Sequence, residues 1–297
     1  MFKAACIIPT KDRAFDLIRL LNSVKDQDVL PQEIIIVDAS VTSSLPSEIN
    51  KGTFNPLNIK YEKAQRACLA AQRNQGVALL GSDIQQVCFL DDDIVFCEGA
   101  FRIMDEFWKK APDQVAGAMF NIINEKRPSV LIFFKKIFCT GSFQRGIVLP
   151  SGYNTLMCPA KESIDVQWLV GAGMVFRREI FNEFSFDPWF EGTGLCEDLD
   201  FSYRVGRKYR LVVVADAKIE HLTGTVKRRR NVWFGRSQIL NRYYFVKKNK
   251  ELSKILCLWA SVGQFLENIA LGIMNFSGYY FLRAWGNIVG FFELGKV

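Results

Sequence analysis

Between residue 2 and about residue 123, short runs rich in β-branched side chains alternate with stretches whose apolar residues recur every three or four positions. Runs of the first kind, at 3–8, 33–38, 59–63, 86–90 and 115–121, are predicted strands. Phe15, Leu17, Ile18, Leu20 and Leu21, and later Phe101, Met104, Phe107 and Trp108, fall at helical spacing and predict amphipathic helices that cover a sheet. This alternation predicts an α/β fold of βαβ units, whose strands end where a nucleotide can bind.

Periodicity weakens from 124 to 165, where Gly, Pro and Ser predict an irregular insertion over one face. Order returns with VQWLVGAGMVFRR, a short helix at 179–184, a helix at about 197–209 and the strand RLVVVADAKIEHL. A basic run at 227–230 is followed by an aromatic and basic helix candidate, WFGRSQILNRYYFVKKNK. From 255 to 282 the chain is strongly apolar, yet Gln264, Glu267 and Asn268 interrupt it, so a helix pair lying in a membrane surface fits better than a clean span. These shifts predict an α/β domain at 1–225, with a nucleotide-binding half at about 1–123 and a second half at about 165–225. A helical, membrane-associating C-terminal appendage follows at 226–297.

Composition narrows what such a fold can serve. Hydrophobic residues make up 49% of the chain and charged residues 23%, the balance of a folded protein with a sizeable core. The formal charge of +7 favours an anionic partner: nucleic acid, an anionic lipid surface or a phosphorylated substrate. Nucleic acid ranks last, because no recognition motif is present and the basic residues cluster beside the apolar tail. Eight cysteines without a CxxC pair read as buried thiols in a reducing compartment. The opening MFKAACIIPTKDR reads as a first strand rather than a signal peptide, so the expected location is cytoplasmic, peripheral at the inner face of the cell membrane.

Candidate chemistry centres on acids. Asp91, Asp92 and Asp93 follow the apolar run VCFL, at the end of a predicted strand. Three adjacent carboxylates repel one another unless a cation is present, and Mg²⁺ or Mn²⁺ takes such oxygens together with those of a diphosphate. Alone the triplet would read as an acidic turn; its place at a carboxyl strand end favours a site. Glu197 and Asp198 open a predicted helix after the loop FEGTGLC, where acids serve either the helix dipole or as a base for a hydroxyl nucleophile. His221, the single histidine, ends a predicted strand and with Asp93 would make a mixed N/O metal site.

In order, the segments IIPTKDR, IIIVDAS, AQRNQG, FLDDDI, WLVGAG and CEDLDFSYRV resemble the family-2 inverting glycosyltransferases of the GT-A fold, over roughly residues 3–225. The resemblance implies a mixed sheet flanked by helices and a nucleotide-diphosphate sugar as donor. It implies that Pro9, Thr10, Asp12 and Asp38 hold the nucleoside, with Arg73 and Asn74 of the RNxG element near the donor. Asp91 and Asp93 match the DXD motif, the first facing ribose or sugar and the second binding metal, with Asp92 in the variable middle position. Asp198 matches the catalytic base, Glu197 would orient it or touch the acceptor, and His221 would complete the Mn²⁺ or Mg²⁺ site. Trp168, Gly171 and Gly173 would line the acceptor side, with core packing as the competing role for Trp168. The second strand ends VDAS, where members often carry VDDGS or VDNGS. The apolar tail resembles, by composition, those of polysaccharide-building members that use lipid-linked acceptors, so a lipid-linked or saccharide acceptor and an anionic membrane surface are the expected partners.

Two other readings compete. A sugar-nucleotide nucleotidyltransferase would carry a glycine-rich basic loop after its first strand, which IIPTKDRAFD lacks. A non-catalytic membrane-associated protein of the same fold would be expected to have lost some of Asp93, Asp198 and His221.

Overall fold

Strands covered on both faces carry unbroken apolar runs, and β1 (Phe2–Thr10) and β2 (Pro31–Asp38) are such strands, buried almost throughout. They belong to a sheet with β3 (Ile59–Lys63), β4 (Gln86–Leu90), β5 (Ile94–Phe96), β6 (Val115–Ile122), β7 (Ile164–Val166), β8 (Gly173–Arg177) and β9 (Arg210–His221). This computed structural model describes residues 2–125, 132–191, 194–222 and 231–297; the basic run at 227–230 lies outside the described residues.

The nine strands run in the order β3-β2-β1-β4-β8-β6-β9-β5, with β7 paired to β9. The first four are mutually parallel, β8 is antiparallel to β4 and β6, and β6 and β9 are parallel again. The architecture is therefore a mixed α/β sheet flanked by helices. Four helices accompany its first half: α1 (Ala14–Lys25), α2 (Leu45–Asn50), α3 (Leu69–Ala78) and α4 (Ala100–Lys110). Helix α1 buries Leu17, Leu20, Leu21 and Val24 at helical spacing, while Phe15 from the same predicted set stands 76% exposed. An aromatic core of Phe2, Phe96, Phe101 and Phe120 packs edge-on and stacked around β1, β5, β6 and α4.

The chain divides into two compact units, Met1–Lys126 with Met157–Gly224, and Arg127–Leu156 with Thr225–Val297. The sheet, the four helices above and α6 (Glu197–Gly206) lie in the first. The second holds α5 (Ile132–Ile137), α7 (Asn231–Lys248), α8 (Lys254–Met274) and α9 (Gly278–Phe292). Most of the stretch read from sequence as an insertion over the α/β face thus groups with the C-terminal helices. The packing gives the reason: Phe138 stacks on Trp259 with ring centroids 4.8 Å apart, over Gly263 of α8.

Helices α7 and α9 meet backbone to backbone. A Cβ on Gly235 would lie 2.0 Å from the Arg283 carbonyl oxygen, and one on Gly286 would lie 2.1 Å from that of Val232, so only glycine permits the approach. Buried amides tie the helices further. Asn287 donates to the Gly235 carbonyl at 2.7 Å and accepts from Asn268 of α8 at 2.7 Å.

Candidate active site

Register brings the strand ends together. Thr10 closes β1 opposite Asp38 at the end of β2, and β4 runs parallel on the other side of β1. Gln72 of α3 fastens two of these ends, its amide nitrogen donating to the carbonyls of Thr10 at 3.1 Å and Val37 at 2.8 Å. Asp38 is fully buried; it accepts from the Ser40 amide at 2.7 Å, from the Ser40 hydroxyl and from the Tyr61 hydroxyl at 2.8 Å. Burial opposes its charge, but the Ser40 and Tyr61 hydrogen bonds outweigh it and hold the carboxyl below the usual range.

The acidic turn leaves β4 at the same edge. Pairing of β5 with β9 sets Ile94 opposite His221, which carries the imidazole to Asp93: His221 Nε2 lies 3.0 Å from Asp93 Oδ1. Ligand atoms of Asp91, Asp93 and His221 all lie within 4.8 Å of one another. Arg13 grips the other side of the turn, donating to Asp92 Oδ1 at 2.6 Å and Asp93 Oδ2 at 2.7 Å, while the Thr10 hydroxyl donates to Asp92 Oδ2 at 2.8 Å. The neighbours titrate apart. Against the cost of burial, His221 and Arg13 hold Asp93 down at about 2, whereas burial pushes Asp92 up to about 7 against the pull of Arg13 and Thr10. The hydrogen bond to Asp93 raises His221.

A second carboxylate pair faces this turn from α6. Antiparallel pairing sets Gly173 of β8 against Leu90, so the loop before β8 runs beside Asp91. Its Gly171 amide donates to Asp198 Oδ2 at 2.9 Å, and the Leu199 amide donates to Asp198 Oδ1 at 2.8 Å. Beneath lies Arg73, 1% exposed, ion-paired with Glu197 and donating to Asp91 Oδ1 and the Gly171 carbonyl at 3.1 Å each. Burial pushes the Glu197 carboxyl up to about 8 in spite of Arg73. One guanidinium thus joins the acidic turn to Glu197 at the start of α6.

The sequence profile described as Glycosyl transferase family 2 matches residues 5–184, more than half of the chain. The chain belongs to glycosyl transferase family 2. It is accordingly a glycosyltransferase, and the matched span contains the acidic turn and Arg73, while Asp198 and His221 lie beyond it. No curated sequence matches. Among solved structures the chain resembles the mannosyltransferase PcManGT from Pyrobaculum calidifontis in complex with GDP-Man and Mn²⁺, at 14% identity and TM-score 0.60, covering 98% of this chain and 86% of that one. It also resembles S. aureus TarS 1-349 in complex with UDP-GlcNAc, at 15% identity and TM-score 0.58, covering 91% and 72%. A third likeness is to GalNAc-T7 with UDP, GalNAc and Mn²⁺, at 17% identity and TM-score 0.58, covering 92% of this chain and 57% of that one. These likenesses establish a GT-A-like fold.

The other residues expected from family resemblance take the following partners. Arg73, expected near the donor, is buried beneath the carboxylates and touches Asp91, and Asn74 beside it exchanges two hydrogen bonds with the Phe186 backbone at 2.8 and 3.0 Å. Asp38, expected to hold the nucleoside, accepts from Ser40 and Tyr61. Trp168 is 5% exposed and so packs in the core rather than offering a stacking face to an acceptor. Gly171 is glycine for Arg73, since a Cβ there would stand 2.6 Å from Nη2, and a Cβ on Gly173 would meet Ile219 at 2.8 Å. Pro9 is buried in β1, and Asp12 is exposed in the turn beyond it, in a left-handed conformation (φ 56°), its amide donating to Ser40 at 2.7 Å.

Sequence reasoning missed Arg13, which ion-pairs with two of the three aspartates. Its signal was available in IIPTKDR, a cation four residues past the proline that ends the first apolar run. The donor set of two carboxylates and one imidazole suits Mn²⁺ and, through its oxygens, Mg²⁺.

Proposed function

We propose that this glycosyltransferase moves a sugar from a nucleotide-diphosphate donor to a hydroxyl acceptor with inversion, and that Asp198 is its base. The observation that carries the reading is the convergence of Asp91, Asp93 and His221 within 4.8 Å, with Asp91 and Glu197 held by Arg73. Asp93 and His221 would hold the metal, with Asp91 beside them toward the sugar or ribose. A divalent cation bound there supplies positive charge against the departing diphosphate.

The chain's own residues account for the rest. Asp198 is half-buried, and its two oxygens are steered by the Gly171 and Leu199 amides, which fix the carboxylate without neutralising it. It takes the proton of the acceptor hydroxyl as that oxygen bonds to the anomeric carbon. The bond from that carbon to the diphosphate breaks on the opposite side, and the nucleoside diphosphate departs with its electron pair. Glu197 and Arg73 keep Asp198 and Asp91 in register, as positioning residues. The solved relatives of like fold carry GDP-Man, UDP-GlcNAc and UDP, which supports a nucleotide sugar as donor. The acceptor we assign is a lipid-linked or saccharide hydroxyl, presented at the cytoplasmic face of an anionic membrane.

A donor screen with Mn²⁺ and with Mg²⁺, reading nucleoside diphosphate release, tests this. One nucleotide sugar should be turned over in an acceptor-dependent manner and lose turnover on chelation. Full turnover after chelation would remove the metal from the reading.

A further inference from the structure

Nothing in the transfer chemistry uses the outer surface of the helical unit. Ile255, Leu258, Trp259, Val262, Leu266 and Ile273 of α8 recur at i, i+3, i+4, i+7, i+11 and i+18, so they share one face. All are 37% exposed or more, and Ile255 reaches 80%, while the opposite side buries Cys257, Ala260, Ser261 and Asn268. The stripe is about 27 Å long at 1.5 Å per residue. Helix α5 widens it: Phe133 and Ile137 are 70% and 65% exposed, and α5 is fixed to α8 by the Lys135–Glu267 ion pair at 3.0 Å. An apolar surface of this extent is a docking face rather than ordinary solvent-exposed surface.

Charge identifies what it docks to. Counted over the sequence, the spans of the helical unit hold 16 Lys and Arg against 3 Asp and Glu, a net +13, whereas the α/β unit holds 22 against 28, a net −6. Lys136 and Lys254 stand exposed beside Ile137 and Ile255. Two copies meeting through this unit would repel, while an anionic lipid surface complements both its charge and its apolar stripe.

Helix α8, 21 residues long, is the one helix among the described residues with the length and apolarity to cross a bilayer. Its neighbours argue against a crossing. Helix α9 has 15 residues, about 22 Å, short of the roughly 30 Å of a hydrocarbon core. Helix α7 meets α9 backbone to backbone and carries Arg236, Arg242, Lys247 and Lys248, which could not follow it into lipid. The Asn268–Asn287 amide bond also holds the inner face of α8 against α9.

We propose that the helical unit is a monotopic docking module, which lays the α5–α8 face into one leaflet of an anionic bilayer without crossing it. This inference deepens the membrane reading above and rests on it, while vesicle binding tests it without donor or acceptor. The full chain should float with mixed phosphatidylcholine–phosphatidylglycerol vesicles, bind pure phosphatidylcholine far more weakly and release in alkaline carbonate. The doubly substituted Leu258→Asp/Leu266→Asp chain should lose at least about tenfold in partitioning, and Ile255→Ser a smaller share, with unchanged circular dichroism melts. Asp198→Asn should float like the wild type, which separates this inference from the assigned base. Equal binding to neutral vesicles, undiminished flotation of the double variant or retention after carbonate would each overturn it. So would a wild-type dimer that the double variant abolishes without any vesicle binding.

Discussion

The two units use the same kinds of side chain to opposite ends. In the α/β unit, buried charged groups meet over long sequence separations, as in Asp92 and Asp93 with Arg13, and Arg73 with Asp91 and Glu197. In the helical unit the buried polar groups around Asn287 are neutral amides that fasten helices, and the charges remain outside. Apolar surface is divided the other way. Of 18 large hydrophobic side chains exposed among the described residues, 15 belong to the helical unit and only Phe15, Val41 and Ile123 to the α/β unit. Buried charge costs stability unless it is paired, so a unit that keeps several such charges is one whose chemistry needs them. A unit that leaves its apolar side chains outside has a surface to cover.

Substitutions can sharpen this contrast. The largest effect is expected from Asp198→Asn, which should lower the turnover rate by about 10³-fold while leaving donor affinity and thermal midpoint nearly unchanged; full activity would remove the base. Next comes Arg73→Met, which takes the donor from the Glu197 carboxyl, Asp91 and the Gly171 carbonyl together and should cost about 1–3 kcal/mol for each stranded group, a midpoint lower by roughly 10 °C. A melt at the wild-type temperature would contradict a charged core under the site. Asn287→Leu should cost less, about 1–3 kcal/mol, because it strands the Gly235 carbonyl and Asn268 rather than a formal charge; the melt should shift without loss of transfer to a soluble acceptor.

The smallest effect is expected from pH. The Asp38 carboxyl lies below its unfolded value, so its stabilisation is present above the unfolded pKa, about 3.9, and is lost as pH falls through its lower folded value. Asp38→Asn should therefore narrow its melting difference from wild type on acidification, and a constant difference down to pH 3 would count against the assignment.

Much of the α/β unit was legible in sequence because its strands bury both faces and announce themselves as apolar runs. The acidic turn was legible because it follows such a run at a carboxyl edge. Strands β5 and β7, three residues each, are shorter than any period can reveal. Which way a side chain faces was legible only where periodicity sets it. Trp168 stands between Gln167 and Leu169, and Asp38 before Ala39 and Ser40, and only tertiary packing decides that both are enclosed. Arg13 and Arg73 were ordinary cations in the sequence, and their importance lies in partners about 80 and 124 positions away.

That Arg73 reaches both Asp91 and Glu197 bears on attempts to retool this enzyme. Changes on the Asp91 flank and changes on the Glu197 flank share one hinge-pin, so their effects should multiply or cancel rather than add. A library that varies both flanks at once would explore such combinations better than one that improves each flank in turn.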